Sequence, residues 1–368
     1  MNATICLLPG DGIGPEITAE AVRTLEAIAD RFGHTFTFVE ALVGGAAMDA
    51  TGEPLPAATA SACASADAVL LGAVGGPKWD DPNAPVRPEQ GLLALRKHLG
   101  VFANIRPVRA HAALAERSPL RQDLVAGVDL VIVRELTGGV YFGRRETAPD
   151  YALDECRYTT AEIERVARVA CRIASARSGR LASLDKANVL DTSRLWRRTV
   201  ERVVRDEFPG LALEHVLIDS AAMHLVTNPA RFDVVVTENM FGDIISDESS
   251  VLCGSIGLLG SASLGESGPG LFEPIHGSAP DIAGRGTANP LGTIASAAML
   301  CRLGLGLGEE GDAIDAAIDA VVGRGDLTPD LGGSMTTADV GRAVAARVLA
   351  DRERALASVT RSAARPGR

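Results

Sequence analysis

The sequence predicts an α/β protein of two lobes built on a largely parallel sheet. Three observations lead there. Apolar runs of strand length alternate with helix-like stretches along the chain. At 368 residues the chain exceeds the roughly 250–300 at which a single core stops growing. No obvious linker divides it, so one lobe is expected to be discontinuous, built from both ends of the chain.

The elements follow in order. Thr4–Leu8 reads as a buried strand, Pro9–Gly14 as a loop, and Pro15 to about Arg31 as a helix, because proline suits the first helical position. His34–Glu40 alternates like a strand, Ala57–Ser65 is helical, and Ala68–Val74 is a second buried strand. Gly91–His98 is a short helix and Asp129–Arg134 a strand. Leu136–Tyr158 is irregular and charged, and reads as an arm. Thr160–Ser178 carries Ile163, Val166, Ala170 and Ile173 along one helical stripe. Strands at 181–185, 211–218 and 233–237 follow, with a helix between the first two, and then a glycine-rich stretch from Gly254 to Gly292. Helices at 293–303, 312–323 and 338–357 close the chain, and the tail beyond about 358 is expected to fray.

The apolar fraction of 46% and charged fraction of 23% are those of a globular enzyme. A net charge of −11 argues against nucleic acid or an anionic membrane as partner. No window approaches the roughly 18 apolar residues of a membrane span. The six cysteines form no C-x-x-C pair and most lie in apolar runs, which suggests reduced core residues in a cytoplasmic protein. Only Lys78, Lys97 and Lys186 are lysines among 36 basic residues. Lysine can give up its proton where arginine cannot, which singles out Lys186 at the end of a strand.

Asp243 and Asp247 lie one turn apart after the apolar run Val234–Val236, so both carboxylates share a helix face. Two like charges held that close suit a hard cation, and oxygen-only ligands suit Mg2+ or Mn2+. Asp219, at the end of Val216-Leu217-Ile218, is a third candidate ligand. The alternative is that these are solvated acids favoured by a helix start. Gly10-Asp11-Gly12-Ile13-Gly14 looks like a dinucleotide fingerprint, but Pro15 stands where the last glycine belongs; it reads equally as a tight strand-to-helix turn. Arg96, Arg106 and Arg134 lie near suspected loops; converging, they would suit a dicarboxylate, and singly each suits a salt bridge. Tyr141 follows Gly138-Gly139 and reads as a buried structural tyrosine if it has no chemical role. Glu273 to Asn289 is a long, turn-rich loop, and loops of that length are usually functional.

Five motifs occur in order: Leu8-Pro9-Gly10-Asp11-Gly12-Ile13-Gly14-Pro15-Glu16, Val133–Gly143, Asp185-Lys186-Ala187-Asn188-Val189-Leu190, Asn239–Asp247 and His276–Gly284. Together they resemble the isocitrate/isopropylmalate dehydrogenase family of β-decarboxylating dehydrogenases, over about residues 4–345. The resemblance implies a two-lobed fold with a shared, largely parallel sheet, one lobe of 1–101 plus 255–368 and another of 102–254, in a homodimer. It implies that Arg96, Arg106 and Arg134 hold the carboxylates of a malate-type substrate, with Leu92 and Leu93 facing its 3-substituent. Asp243 and Asp247 would bind Mg2+ or Mn2+, with Asp219 reaching in from the partner subunit. Asp219 would also touch substrate. Lys186, also from the partner, would be the general base and Tyr141 the general acid. NAD would lie on His276, Gly277, Ser278, Ala279, Asp281, Ile282 and Asn289, with Glu89 beside it.

Two finer expectations follow from that assignment. A carboxylate at Asp281 can accept from a ribose 2′-hydroxyl and repels a 2′-phosphate, which favours NAD over NADP. The apolar Leu92–Leu93 pair suits an isopropyl group, and so the isopropylmalate branch of the family in leucine biosynthesis, rather than the extra carboxylate of isocitrate. The competing readings are an enzyme for another 3-substituted malate, tartrate or malate, a metal-dependent lyase or hydrolase without nicotinamide, and an inactive binding protein.

Overall fold

The computed structural model of the chain describes residues 1–79, 81 and 84–363, and the side chains of those up to 350. Its contacts divide it into two units, Met1–Leu95 with Pro269–Arg368, and Arg96–Gly268.

The first unit opens with β1 (Asn2–Gly10), α1 (Gly14–Phe32), β2 (Thr35–Glu40), α2 (Gly44–Thr51), α3 (Ala57–Ser65), β3 (Ala68–Ala73) and most of α4 (Pro88–His98). Ile5, Cys6 and Leu8 of β1 are fully buried, as expected of a strand covered on both faces. Ile17, Ala21, Leu25 and Ile28 line the buried stripe of α1, which closes at Gly33 in the left-handed conformation.

The second unit holds β4 (Ala103–Arg109), the single turn α5 (Gln122–Val125), β5 (Asp129–Glu135), β6 (Arg145–Thr147), β7 (Ala152–Asp154), α6 (Thr160–Ala176), β8 (Arg180–Asp185), α7 (Asp191–Glu207), β9 (Ala212–Leu217), α8 (Ile218–Thr227), β10 (Val234–Thr237), α9 (Asn239–Ser250) and β11 (Gly260–Leu264). Its strands lie in the order β11-β4-β5-β10-β8-β9. β5, β10, β8 and β9 run parallel, while β4 is antiparallel to both of its neighbours β5 and β11. Thr159 and Glu162 form a reciprocal capping box that starts α6. The irregular arm contains an exposed hairpin, β6 paired antiparallel with β7.

The chain then returns to the first unit as β12 (Gly270–Pro274), α10 (Leu291–Met299), α11 (Gly308–Arg324) and α12 (Thr337–Ala363). The parallel order in that unit is β2-β1-β3-β12.

The boundaries between the units lie at 95/96 and 268/269, where 101/102 and 254/255 were expected. Three expectations about single elements need correction. The glycine-rich stretch holds two strands, and the first of them carries 255–268 into the second unit: Ala262 pairs with Ile105, and Phe102 N–H donates to Leu264 O at 2.9 Å. Five cysteines are buried but Cys156 is exposed, because it lies in the arm and not in the core. Helix α12 also runs beyond the expected 357, and the rest of the tail lies outside the described residues. No helix is long and apolar enough to cross a membrane among the described residues.

Candidate functional site

Four parallel strands of the second unit end side by side, and each delivers a polar residue at its carboxyl end, where open α/β sheets bind ligands. β5 ends with Arg134 and Glu135, β10 leads into α9 with Asn239 and Asp243, β8 leads to Lys186, and β9 runs into α8 with Asp219. Arg106 comes from β4, beside β5.

Arginines and aspartates meet on α9. Arg134 Nε and Nη2 donate to Asn239 Oδ1 at 3.0 and 2.8 Å, and Nη1 donates to Asp243 Oδ1. Arg106 Nε donates to Asn104 Oδ1 at 2.6 Å, while its Nη1 reaches Ser246 Oγ at 2.5 Å and Asp247 Oδ1 at 3.2 Å. Arg106 Nη2 lies 3.8 Å from Asp243. Tyr141 OH donates to Asp243 Oδ2 at 2.9 Å. Gly242 lets α9 come this close to Arg134, because a Cβ at that position would lie 2.6 Å from Arg134 Cγ.

The electrostatics follow from this crowding. Burial, then the positive charges of Arg106 and Arg96 against the partial relief of Asp243, push Arg134 down to about 10. Arg134 therefore feels the charges of both Arg106 and Arg96. Burial and the neighbouring Asp243 carboxylate push Tyr141 up to about 12, so the phenol keeps its proton. Burial raises Asp247, Arg106 opposes that rise, and Asp243 adds to it.

Lys186 and Asp219 form a separate pair, Nζ to Oδ2 at 2.8 Å, and that contact holds the Asp219 carboxyl below its usual range. Lys186 is firmly placed. Its backbone N–H donates to Ser193 Oγ at 3.0 Å, and the preceding Asp185 is gripped by Arg197 at 2.9 Å through both oxygens. β9 is two strands from β10, about 10 Å at ordinary strand spacing. Among the described residues no three His, Cys, Asp or Glu side chains come together as a metal site within one chain. Asp243 and Asp247 still fit a divalent ion. They are oxygen donors on one face of one helix, partly exposed at 35% and 58%, and at present shared with arginines.

Sequence reasoning missed Asn239, Asn104 and Ser246. Asn239, Asp243 and Ser246 follow the 3–4 residue spacing of one helix face, a signal that was open to reading once α9 was placed. Glu135 and Glu238 had no such signal. Both are buried, both accept backbone N–H groups, and burial raises both above the usual carboxyl range. A group with a raised folded value favours the folded chain below its unfolded value, near 4.5, and loses that contribution as pH rises through the folded value. Glu238→Gln never ionises, so its stability relative to the native chain should climb as pH rises above about 4.5. Urea unfolding at a series of pH values measures this, and a flat difference would overturn it.

The first unit holds the loop expected to carry the cofactor. Its seat is the Gly10–Gly14 turn, which is a tight strand-to-helix turn. Ile13 N–H donates to Ser278 O at 2.9 Å, and a Cβ on Gly12 would lie 2.1 Å from that oxygen. Ile13, Ile17 and Ala288 form a small core against which Ala279, Ile282 and Ala283 pack. Ala279 is the one non-glycine residue at positive φ, 38°, among the described residues, which marks a constrained loop tip. His276 Nε2 is buried with no hydrogen-bond partner among the described residues, and burial pushes that imidazole below its usual range. An orphaned buried nitrogen of this kind fits a polar ligand. Gly277 and Asp281 are exposed. Asn289 is buried and occupied, donating to Asp330 Oδ2 at 3.0 Å and accepting from Leu291 N–H at 3.0 Å, so it shapes the loop from beneath. Glu89 is exposed and leans over Gly75, while Leu92 and Leu93 are half-buried on α4, one turn before the buried Arg96.

Comparison with known proteins agrees across the chain. Residues 4–344 match the family model described as isocitrate/isopropylmalate dehydrogenase. A 3-isopropylmalate dehydrogenase of Anaeromyxobacter dehalogenans is 57% identical over 354 residues, covering 95% of this chain and 99% of that protein. One from Nitratidesulfovibrio vulgaris is 58% identical, covering 90% and 94%. Among solved structures, isocitrate dehydrogenase from Methylococcus capsulatus aligns with a TM-score of 0.85 at 32% identity, covering 94% of this chain and 99% of that one. A β-decarboxylating dehydrogenase from Thermococcus kodakarensis aligns with a TM-score of 0.77 at 39% identity, covering 94% and 96%.

Proposed function

The chain belongs to the isocitrate/isopropylmalate dehydrogenase family, and from that premise we propose that it oxidatively decarboxylates (2R,3S)-3-isopropylmalate to 4-methyl-2-oxopentanoate and CO2, reducing NAD, in leucine biosynthesis. The observation that carries this reading is the convergence of Arg106 and Arg134 on two aspartates one turn apart, with the charge of Arg96 near enough to lower Arg134. The arrangement calls for anions and a cation together. A divalent ion on Asp243 and Asp247 and a dicarboxylate on the arginines would exchange the present ion pairs for new ones at nearly balanced charge.

When bound, the divalent ion would lower the pKa of the substrate hydroxyl and the nicotinamide would accept hydride from C2. The side chains supply the remainder. The three arginines hold and orient the two carboxylates. Lys186 takes the proton of the 2-hydroxyl, and Tyr141, which keeps its proton, returns one to carbon after CO2 leaves. Leu92 and Leu93 favour an apolar 3-substituent, and a methylene there is worth about 1–3 kcal/mol. Asp281 favours NAD over NADP by accepting from a 2′-hydroxyl. We assign the protein to the cytoplasm.

Lys186 and Asp219 are read as serving the site of a second copy. Their elements carry exposed apolar side chains close by: Val189 and Leu190 after β8, and Met223 and Val226 on α8. An exposed apolar surface beside a functional pair suits a self-complementary interface.

The test is a substrate panel with Mn2+ and either nicotinamide, followed by NADH or NADPH absorbance. Isopropylmalate should lead malate, tartrate and isocitrate in kcat/KM, and NAD should exceed NADP by at least about tenfold. No NADH from any of the four acids would refute the dehydrogenase reading, and a lead for isocitrate would refute the Leu92–Leu93 pocket.

A further inference from the structure

We propose that Tyr158, which none of the chemistry above uses, is a positioning residue that fixes the face Arg134 presents to the substrate carboxylate. The proposal rests on Arg134 as a carboxylate-binding group. Tyr158 lies at the start of α6, buried, with its ring edge-on to Trp196 at 5.8 Å between centroids. Its hydroxyl sits among three backbone and side-chain groups from β5 and α9. It accepts the Asn239 N–H at 3.0 Å and lies 3.3 Å from both Glu135 Oε2 and Glu238 Oε2.

The consequence is a closed hydrogen-bonded circuit. Glu135 Oε2 accepts Gly138 N–H at 2.7 Å, Gly138 O accepts Asn239 Nδ2 at 3.0 Å, and Asn239 Oδ1 accepts both Nε and Nη2 of Arg134. With its Nδ2 spent on Gly138 and its backbone on Tyr158, the Asn239 amide can turn only its oxygen to Arg134. The guanidinium is thereby held by one edge, and Nη1 is left to face the anionic side, where Asp243 now sits. Tyr158 also fills the space under the turn. A Cβ at Gly138 or Gly139 would come within 2.6 Å of its ring or hydroxyl, so these two glycines are the complement of this tyrosine. Arg165 closes the other side, donating to Thr137 Oγ1 at 2.7 Å. Loss of the hydroxyl removes the acceptor of the Asn239 N–H without emptying the space the ring occupies.

Tyr158→Phe is therefore expected to raise KM for isopropylmalate about tenfold, with KM for NAD unchanged and kcat within about twofold. Asn239→Ala, which keeps the backbone N–H that Tyr158 accepts but removes the side-chain amide that holds Arg134, should give the same pattern. Combining the two should add little to either alone, because both break one circuit. A tyrosine that merely fills the core would lower the melting temperature of Tyr158→Phe and leave the KM for isopropylmalate unchanged, which would overturn the proposal. So would penalties that multiply in the double variant. Should Tyr158→Phe not fold, an unchanged isopropylmalate KM in Asn239→Ala overturns it alone. If the native chain makes no NADH from isopropylmalate, the functional reading fails by itself; calorimetric binding of malonate then decides, expected about tenfold weaker in either variant, and equal affinity in all three proteins refutes the positioning role.

Discussion

Lys186→Met is expected, on the proposed role of its amine, to lower kcat by on the order of a thousandfold, with KM for isopropylmalate within a few-fold of native, because loss of a general base removes roughly 10²–10⁴ from the chemical step. The substitution keeps most of the length of the unbranched side chain and removes its basic nitrogen. The turn around it should survive, since the Lys186 backbone is held by Ser193 and its neighbour Asp185 by Arg197, neither of which involves the amine. Asp219 loses the partner that holds its carboxyl low and moves back toward its ordinary range. Lys186→Arg separates these effects. It restores a positive partner for Asp219, yet a guanidinium accepts no proton in a protein. Both variants should be equally inactive if the amine is the base. Near-native turnover by the arginine variant would show that only the charge at 186 matters, and the base would have to be sought elsewhere.

That prediction begins from a residue already conspicuous in the sequence, whereas its partners differ in how far they could be read. Asp243 and Asp247 were legible because a helix face repeats at 3–4 residues and an apolar strand precedes it. Asp219 was legible only as an acid after an apolar run; that it is the second residue of α8 and faces Lys186 is a matter of packing. Strand β4 was obscured by Asn104, Arg106 and Pro107, residues that depress a strand assignment. The structure accommodates Pro107: the pairing of β4 with β11 spans Ala103 to Ile105 and ends before the proline, whose missing N–H is not called on there. β11 and β12 were hidden by small residues and turn formers, Gly-Ser-Ala-Ser-Leu and Gly-Leu-Phe-Glu-Pro. Their strand character comes from burial between neighbours and not from local propensity. Tyr158, Glu135 and Glu238 could not have been grouped in advance, since they meet across more than 100 positions and carry no common spacing.

Mixing two inactive variants should restore activity if the site is shared between copies of the chain. Lys186→Met retains Asp243 and Asp247, while Asp243→Asn retains Lys186 and Asp219. If the chain pairs as the proposed homodimer, each variant alone has both sites broken. In a mixed dimer one site takes Asp243 and Asp247 from the first variant and Lys186 and Asp219 from the second, and is complete; the other site carries both defects. Random pairing of equal amounts makes half the dimers mixed, each with one working site, so about a quarter of native activity should return. The two variants must be refolded or expressed together, because preformed dimers need not exchange. The Lys186–Asp219 pair within one chain is what makes the experiment decisive. If that pair serves its own chain, each site of every mixed dimer keeps one broken residue, and co-assembly restores nothing. Recovery near a quarter therefore supports the shared site, and none at all, with mixed dimers shown to be present by mass, places Lys186 in the site of its own chain.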